Sequence, residues 1–248
     1  MKPIILYDVP SRLPHKYWSQ NTAKTRYSLS FKGLPYEMVW VEFPDIESTL
    51  SALGAPKSTR SDGSSAHTVP VIHDPNTGAI VADSFDIAAY LESTYPYPAN
   101  RSLFPNGSRA LVYAFGITLA KATEGAARWA AFRVEEVLNE GSREYFVRTR
   151  EKRFGVRWAE VSPEGSEARA AQKKALKKGL DVLDACYQRS EGPWIQGMSF
   201  SYADVLVGAQ MMWYRGVLRR DEWEEVSGWN GGRWGRVLED VERECHFL

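Results

Sequence analysis

Hydrophobic and polar positions follow two patterns along the chain. Segments typical of strands lie near its start, and the spacing from residue 108 onward is helical. A short apolar run at residues 4–7 and a roughly alternating segment at 36–41 have the length and composition of strands. The segment between them begins with good helix-capping residues near Ser19 and has no proline or glycine until Gly33, which predicts a helix. A strand–helix–strand unit of this kind places its two strands parallel.

Residues 44–94 add a hairpin and a helix. After a weakly helical stretch at 44–53 and a polar loop at 57–65, two further apolar runs flank the turn-forming residues 74–78. Ser84 then precedes apolar residues at helical spacing, which predicts a helix from Ser84 to Thr94 with the serine as N-cap. The order β-α-β-α-β-β-α is that of a thioredoxin-like domain.

From residue 108 onward the periodicity is helical and no strand pattern is convincing. Ser201 and Asp204 form a capping-box pattern, which favours a folding role. The sequence therefore predicts an α+β thioredoxin-like domain at 1–95, a proline-containing linker at 96–107 and an all-helical domain at 108–248. The helices predicted in the second domain are 110–138, 142–154, 164–189, 201–218 and 233–245.

Composition and charge limit the cellular setting. The chain has 248 residues, 44% of them hydrophobic, with 31 basic and 31 acidic side chains, so nothing indicates a nucleic-acid or anionic-membrane partner. No apolar run approaches the roughly 20 residues of a membrane span, and the first residues do not resemble a signal peptide. Two cysteines outside any Cys-x-x-Cys pair fit a reducing compartment, so we expect a cytoplasmic protein.

Several kinds of chemistry lack their motifs. The four histidines have no zinc-ligand spacing, so we expect no metal site. There is no nucleophile elbow, P-loop or dinucleotide-binding glycine pattern. A thiol–disulfide oxidoreductase needs a cysteine near position 19, and none is present.

The most informative stretch contains Val69 and Pro70. Proline cannot donate to a sheet ladder, so Val69-Pro70 is a candidate cis bond that would turn the Val69 backbone towards a bound peptide. Asp83 and Ser84 stand before a predicted helix, whose N-terminus attracts carboxylates. The alternative interpretation is that Pro70 merely ends a strand and Ser84 merely caps a helix.

This arrangement resembles the glutathione site of the glutathione transferases. Residues 18–29, WSQNTAKTRYSL, are similar to the motif SPNTWKTRYAL of the fungal etherase-like class A (FuA) transferases. Residues 31–46, 68–72 and 81–88 also match that family, and 145–155 resemble a signature shared with bacterial β-aryl etherases. Two departures stand out: Gln20 replaces proline and Ala23 replaces a bulky aromatic residue, which we expect to reshape the sulfur site and widen the second-substrate pocket.

The resemblance implies roles for single residues. Ser19 would stabilise the glutathione sulfur as a thiolate, with the amide of Asn21 as a second donor and Tyr7 as the alternative hydroxyl. A free thiol has a pKa of about 8.5, and one hydrogen bond to a charged group contributes about 1.5–3 kcal/mol, which lowers the pKa by one to two. A single well-placed donor is therefore enough to favour the thiolate at neutral pH.

The remaining contacts concern the rest of the tripeptide. The family resemblance implies that the backbone of Val69, before Pro70, pairs with the cysteinyl part of glutathione. It implies that Asp83 and Ser84 hold the γ-glutamyl ammonium and carboxylate, and that a loop cation, Lys57 or Arg60, meets the glycyl carboxylate. It also implies a homodimer.

Two functions remain open at this stage. The first is a transferase that uses glutathione as co-substrate to attack electrophilic or aromatic molecules, by conjugation, peroxide reduction or aryl-ether cleavage. The second is a ligandin that binds aromatic or polyphenolic compounds with little turnover. Tyr17, Trp18, Tyr113 and Phe115 are candidates for an aromatic pocket that would serve either function.

Overall fold

Among the residues that the structure describes, the strands lie in the first third of the chain, and helices dominate the remainder. The computed structural model describes residues 1–59, 63–96 and 99–246, and within these ranges six strands and ten α-helices occur. The strands are β1 (Ile4–Asp8), β2 (Tyr36–Trp40), β3 (Ser58–Thr59), β4 (Ser65–Ala66), β5 (Val71–Asp74) and β6 (Ala79–Ala82). The helices are α1 (Gln20–Phe31), α2 (Ile46–Leu53), α3 (Ser84–Thr94), α4 (Arg109–Glu124), α5 (Ala127–Val134), α6 (Glu140–Phe154), α7 (Trp158–Val161), α8 (Glu167–Tyr187), α9 (Tyr202–Val217) and α10 (Arg220–Glu244).

Four of the strands form one mixed sheet in the order β2-β1-β5-β6. β1 and β2 are parallel, as predicted, with Ile4 opposite Tyr36 and Asp8 opposite Trp40. β5 is antiparallel to both β1 and β6. The fold class is therefore confirmed: a thioredoxin-like α/β domain is followed by a helical domain.

The first domain differs from the prediction in two details. The first strand of the hairpin, which the apolar pattern predicts over 68–72, begins only at Val71, because Pro70 cannot contribute an N–H to the ladder. The polar segment expected to be a loop contributes β3 and β4, which pair through Ser58 with Ala66 and Thr59 with Ser65. Two-residue strands carry no hydrophobic period, so the sequence pattern did not detect them.

The helical domain differs more. The single helix predicted over 110–138 is two helices that meet at Gly125, where a Cβ would lie 2.8 Å from that of Ala175 in α8. α7 was not predicted. The last helix, predicted over 233–245, is the second part of α10: the backbone is non-helical from Trp229 to Gly232, and a helical stretch that was not predicted runs from Arg220 up to this break.

α9 is the centre of the helical domain, and almost all of its residues are buried. Its N-terminus carries the predicted capping box: the Ala203 N–H donates to the Ser201 hydroxyl (3.3 Å), and the Ser201 N–H donates to the Asp204 carboxylate (3.0 Å). The Ile195 N–H also donates to Asp204 (2.9 Å). These bonds satisfy helix-end donors that burial would otherwise leave unpaired.

The two domains pack through α1 and α9. Buried side chains of both parts meet, as in the ring contact of Phe31 with Phe200 at 4.6 Å. Tyr27 of α1 donates to Glu242 of α10 (3.3 Å), and Arg215 donates to the same carboxylate (2.9 Å). α1 is thus held by the helical domain along its length, which fixes the position of its N-terminus.

In the described part of the chain, the helices are each too short or too polar to cross a bilayer.

Candidate functional site

The strand register brings the predicted site residues to one edge of the sheet. Val71 pairs with Ala82 at one end of the β5–β6 ladder and with Tyr7 towards the end of β1. Val69-Pro70 and Asp83-Ser84 continue directly beyond that pair. The two segments therefore lie side by side, next to the carboxyl end of β1, from which the chain leads to α1.

The Val69-Pro70 peptide bond is cis, as the sequence suggested. Val69 is partly exposed, and its backbone N–H and C=O make no hydrogen bond to the described residues. A free donor and acceptor on one residue fit the backbone of a peptide-like ligand laid alongside.

Asp83, not Ser84, is the N-cap of α3. Its carboxylate accepts from the Phe85 N–H (2.8 Å), and Ser84 is the first helical residue. The prediction of a serine cap was wrong because both residue types cap helices and the sequence does not say which of two neighbours turns out of the helix. One Asp83 oxygen is used in the cap, which leaves the other, together with the helix N-terminus, for a ligand.

Aromatic packing holds this N-terminus in place. Phe85 contacts the ring of Phe104 in the linker (5.5 Å) and two rings of the helical domain, those of Tyr113 (5.1 Å) and Tyr202 (5.8 Å). The helical domain therefore fixes the start of α3 as well as that of α1.

Ser19 occupies the N-cap position of α1, but its side chain makes no capping hydrogen bond. Its backbone carbonyl accepts from the Ala23 N–H at 3.0 Å. The residue is partly exposed. A hydroxyl at a helix start that the helix does not use remains available to donate to an anion, where the helix dipole adds to its effect.

The loop that leads to Ser19 is anchored at several points. The Ser11 hydroxyl donates to the Lys16 carbonyl (2.7 Å), and the Arg12 N–H donates to the carbonyl of Val137 in the helical domain (2.8 Å). The guanidinium of Arg26 lies over the ring of Tyr17, 3.9 Å from its centre. These contacts limit the freedom of the segment that presents the serine.

A buried charge pair lies behind this loop. Asp8 and Arg26 are both almost fully buried. Burial raises the pKa of Asp8 and the positive charge of Arg26 opposes this rise, whereas burial lowers the pKa of Arg26 and Asp8 opposes that fall. Each charge therefore stabilises the other next to the start of α1.

Asn21 is exposed in the first turn of α1, and its side-chain oxygen accepts a hydrogen bond from the ammonium of Lys24 (3.0 Å). Burial lowers the pKa of Lys24, and the negative charge of Asp83 opposes this effect. Sequence reasoning did not single out Lys24. Its spacing of three residues from Asn21 on a helix was the available signal, because residues three apart share a face.

A cleft of about 620 Å³ lies between the start of α1 and the helical domain. Its lining includes Gln20, Asn21 and Lys24 from α1, Ile117, Ala120 and Lys121 from α4, and Leu206, Gln210, Trp213 and Tyr214 from α9. The α1 side is thus polar, and the side formed by α4 and α9 combines apolar and aromatic residues with Lys121, Thr123, Glu124 and Gln210.

Not every residue predicted for this pocket reaches it. Gln20 lines the cleft, but Ala23 is 1% exposed and belongs to the core, so its small side chain does not widen the opening. Trp18 is also buried in the core. The aromatic residues of the cleft are Trp213 and Tyr214, which the sequence did not separate from ordinary core positions.

The remaining candidates lie in different settings. The ammonium of Lys57 is 3.4 Å from the carboxylate of Glu47 at the surface. Arg60 lies outside the described residues. Burial raises the pKa of Tyr7, so its phenol is protonated at neutral pH.

Comparison with known proteins identifies relatives over the whole chain. The family model described as "Glutathione S-transferase, N-terminal domain" matches residues 18–94, and "Glutathione S-transferase, C-terminal domain" matches residues 110–243. The glutathione S-transferase-like protein ustS of Aspergillus flavus is 31% identical over 245 residues, which cover 93% of this chain and 86% of the relative.

Solved structures agree with these matches. A glutathione S-transferase of Ceriporiopsis subvermispora, crystallised in complex with glutathione, superposes with a TM-score of 0.90 at 37% identity and 98% coverage of both chains. Glutathione transferase GSTFuA3 from Phanerochaete chrysosporium superposes with a TM-score of 0.87 at 36% identity, covering 100% of this chain and 99% of the other. The chain therefore belongs to the glutathione S-transferase family, whose co-substrate is glutathione.

Proposed function

We propose that this chain is a serine-type glutathione transferase in which the Ser19 hydroxyl stabilises the thiolate of bound glutathione. The observation that carries the proposal is the uncapped Ser19 side chain at the start of α1, close to the sheet edge where the Val69 backbone is also free. A donor hydroxyl and a peptide-pairing residue near one another suit a cysteinyl group.

The rest of the tripeptide is assigned by charge. Asp83 offers a carboxylate oxygen to the γ-glutamyl ammonium, and Ser84 offers its hydroxyl and the helix N-terminus to the γ-glutamyl carboxylate. Lys57 meets the glycyl carboxylate in this proposal, and to do so its ammonium leaves Glu47. That exchange costs little because a solvent-exposed ion pair contributes little to stability.

The second substrate enters the cleft beside α1. Trp213, Leu206 and Ile117 give this cleft an apolar wall that suits an aromatic electrophile. In conjugation the thiolate sulfur forms a bond to an electrophilic carbon as that carbon's bond to its leaving group breaks, and the leaving group takes the electron pair. Peroxide reduction and aryl-ether cleavage use the same thiolate.

A place among the fungal etherase-like class A enzymes is part of the proposal. The motif at residues 18–29 and the 36% identity to GSTFuA3 support it. We also propose a cytoplasmic homodimer with a role in detoxification. The support for the dimer is the apolar surface of α4, and the support for the compartment is that Cys186 and Cys245 are both free.

The first test replaces Ser19 with alanine. We expect Ser19→Ala to lower kcat/KM for conjugation of an activated aryl halide by about 10–100-fold, the equivalent of one hydrogen bond of about 1.5–3 kcal/mol to the thiolate. Because the hydroxyl does not cap α1, thermal stability should change little. Equal kcat/KM for the two proteins would remove Ser19 from this role.

A ligandin is the second candidate function. Gln20 lines the cleft where related motifs have proline, and Trp213 and Tyr214 offer aromatic contacts, so tight binding without fast chemistry is a reasonable outcome. Displacement of a fluorescent dye by polyphenols, with and without glutathione, separates the two functions. Tight displacement by a protein with no conjugation or peroxidase turnover would favour the ligandin.

A further inference from the structure

We infer that Lys24 is a positioning residue for the thiolate and that it acts through the side-chain amide of Asn21. The inference rests on the proposed function and deepens it. It starts from one hydrogen bond, in which the Lys24 ammonium donates to the Asn21 side-chain oxygen over 3.0 Å.

This contact determines which way the amide faces. An ammonium group has three donors and no acceptor, so only the oxygen of the amide can face it. Lys24 lies one turn further along α1 than Asn21. With its oxygen turned to Lys24, Asn21 directs its NH₂ group away from that lysine. In the inferred arrangement this group faces the N-terminal end of α1, where Ser19 lies.

The direction of the amide matters for an anion. A thiolate beside an amide NH₂ accepts a hydrogen bond, whereas beside the amide oxygen it meets a partial negative charge. Without Lys24 the amide is free to turn over, and the two orientations compete. Lys24 thereby makes Asn21 a dependable second donor alongside Ser19.

The surroundings keep Lys24 in this role. Its side chain is partly buried at the cleft, and the charge of Asp83 favours its protonated form against the effect of burial. Lys24 thus links the Asp83 region to Asn21. Its role differs from that of Lys121, which lines the same cleft from α4 and makes no hydrogen bond to Asn21.

The test measures the pKa of the thiol of bound glutathione from the ultraviolet absorbance of the thiolate as pH is varied. We expect Lys24→Met to raise this pKa by about one. Lys24→Arg should keep the pKa at the wild-type value, because arginine is also a cation with donors and no acceptor. Lys121→Met should leave the pKa within about 0.3 of the wild type. Affinity for S-methylglutathione, which has no thiol to ionise, should stay within about threefold in all three.

A second variant separates action through the amide from a direct effect of charge. In an Asn21→Ala background, Lys24→Met should cause no further rise in the thiol pKa. A rise of the same size in that background would show that the charge acts directly and would overturn the inference, as would an unchanged pKa in Lys24→Met alone.

Asn21→Asp gives an independent check if Lys24→Met does not fold. It retains the partner of Lys24 but replaces the N–H donors with oxygen, so the thiol pKa should rise more than in Asn21→Ala; a smaller rise contradicts the inference. If the thiol bound to wild-type protein titrates like free glutathione, the proposed function itself fails. If the wild type lowers the thiol pKa and Lys24→Met lowers it equally, only the role of Lys24 fails.

Discussion

The backbone of Asp83 adopts φ = 71°, a value that few residues other than glycine tolerate. Asp and Asn are several-fold enriched at positive φ, and the Asp83 carboxylate also caps α3, which helps to offset the unfavourable backbone. Asparagine would meet both requirements equally well, so neither the backbone conformation nor the cap requires the negative charge. The charge favours protonated Lys24, and in the proposed function it also meets the ligand ammonium.

Asp83→Asn should therefore weaken glutathione binding by about 10–100-fold, which corresponds to the loss of a charged hydrogen bond of about 1.5–3 kcal/mol. The free energy of unfolding should change by less than about 0.5 kcal/mol, because asparagine caps a helix as well as aspartate does. Isothermal calorimetry and urea denaturation measure the two quantities.

A glutathione analogue that lacks the α-amino group is the matched control for this variant. It has no ammonium for Asp83 to bind, so wild type and Asp83→Asn should bind it equally. If the variant weakens both ligands to the same extent, Asp83 does not contact the γ-glutamyl ammonium.

The buried carboxylate of Asp204 makes the stability of the fold depend on pH. Burial raises the pKa of Asp204 to about 7, against the hydrogen bonds from Ile195 and Ser201. Between about pH 4 and 7 the native state therefore retains a proton that the unfolded chain has lost. Since the native state binds more protons in this range, its stability falls as pH rises, by at most about 1.4 kcal/mol per pH unit.

Asp204→Asn removes this titration while keeping a neutral side chain of similar size. We expect the variant to be less stable than the wild type at pH 4 and the gap to narrow towards pH 7. Urea denaturation at several pH values measures it. A gap that is constant over this range would mean that Asp204 ionises alike in the folded and unfolded states.

The sequence predicted features that depend on a residue type with a distinctive local effect on the backbone. Pro70 marked the segment next to the site, and Ser201 with Asp204 marked the start of α9, because their patterns are local along the chain. It did not find Lys24, whose inferred role depends on its hydrogen bond to Asn21 and on the charge of Asp83, a residue distant in sequence. Burial and electrostatic partners of that kind are properties of the folded chain.

At the scale of helices, close packing explains a break that local preference did not predict. An alanine-rich stretch without proline favours one long helix, yet α4 ends at Glu124. Its last turns approach α8 so closely that a Cβ on Gly179 would lie 1.7 Å from the Ala122 carbonyl oxygen. The turn at Gly125 lets the chain change direction after this contact. Because the contact joins segments that are distant in sequence, the local pattern of neither segment predicts it.

Gly179→Ala should therefore destabilise the protein by about 1–3 kcal/mol or more, because a methyl group cannot enter this contact unless the two helices move apart. Gly141→Ala in α6 is the matched control. Nothing lies within 4 Å of its added Cβ, so no clash opposes the substitution. Alanine lowers the conformational entropy of the unfolded chain, which should stabilise the protein by up to about 0.5–1 kcal/mol. Urea denaturation compares both with the wild type, and equal effects would mean that α4 and α8 do not pack as closely as described.

At the scale of the whole molecule, α4 exposes more apolar surface than a helix facing water normally does. Leu111, Tyr113 and Ile117 are 75%, 56% and 58% exposed. Ile117 also lines the cleft, so a partner that covered α4 would close one side of the second-substrate site. In the proposed homodimer, the second subunit would cover this surface and by the same contact close one side of the cleft.

Leu111→Glu should consequently shift the protein from dimer to monomer, raising the dissociation constant at least about tenfold, because a carboxylate would be buried without a partner. Met198→Glu is the matched control: Met198 is 77% exposed on another part of the molecule, and the dimer should persist. Sedimentation velocity distinguishes these outcomes. Since the glutathione residues lie within one chain, monomeric Leu111→Glu should keep its affinity for glutathione and lose affinity for aromatic ligands, which depend on the completed cleft. If the wild type is monomeric, or if both variants dissociate to the same extent, the apolar surface of α4 is not the dimer interface.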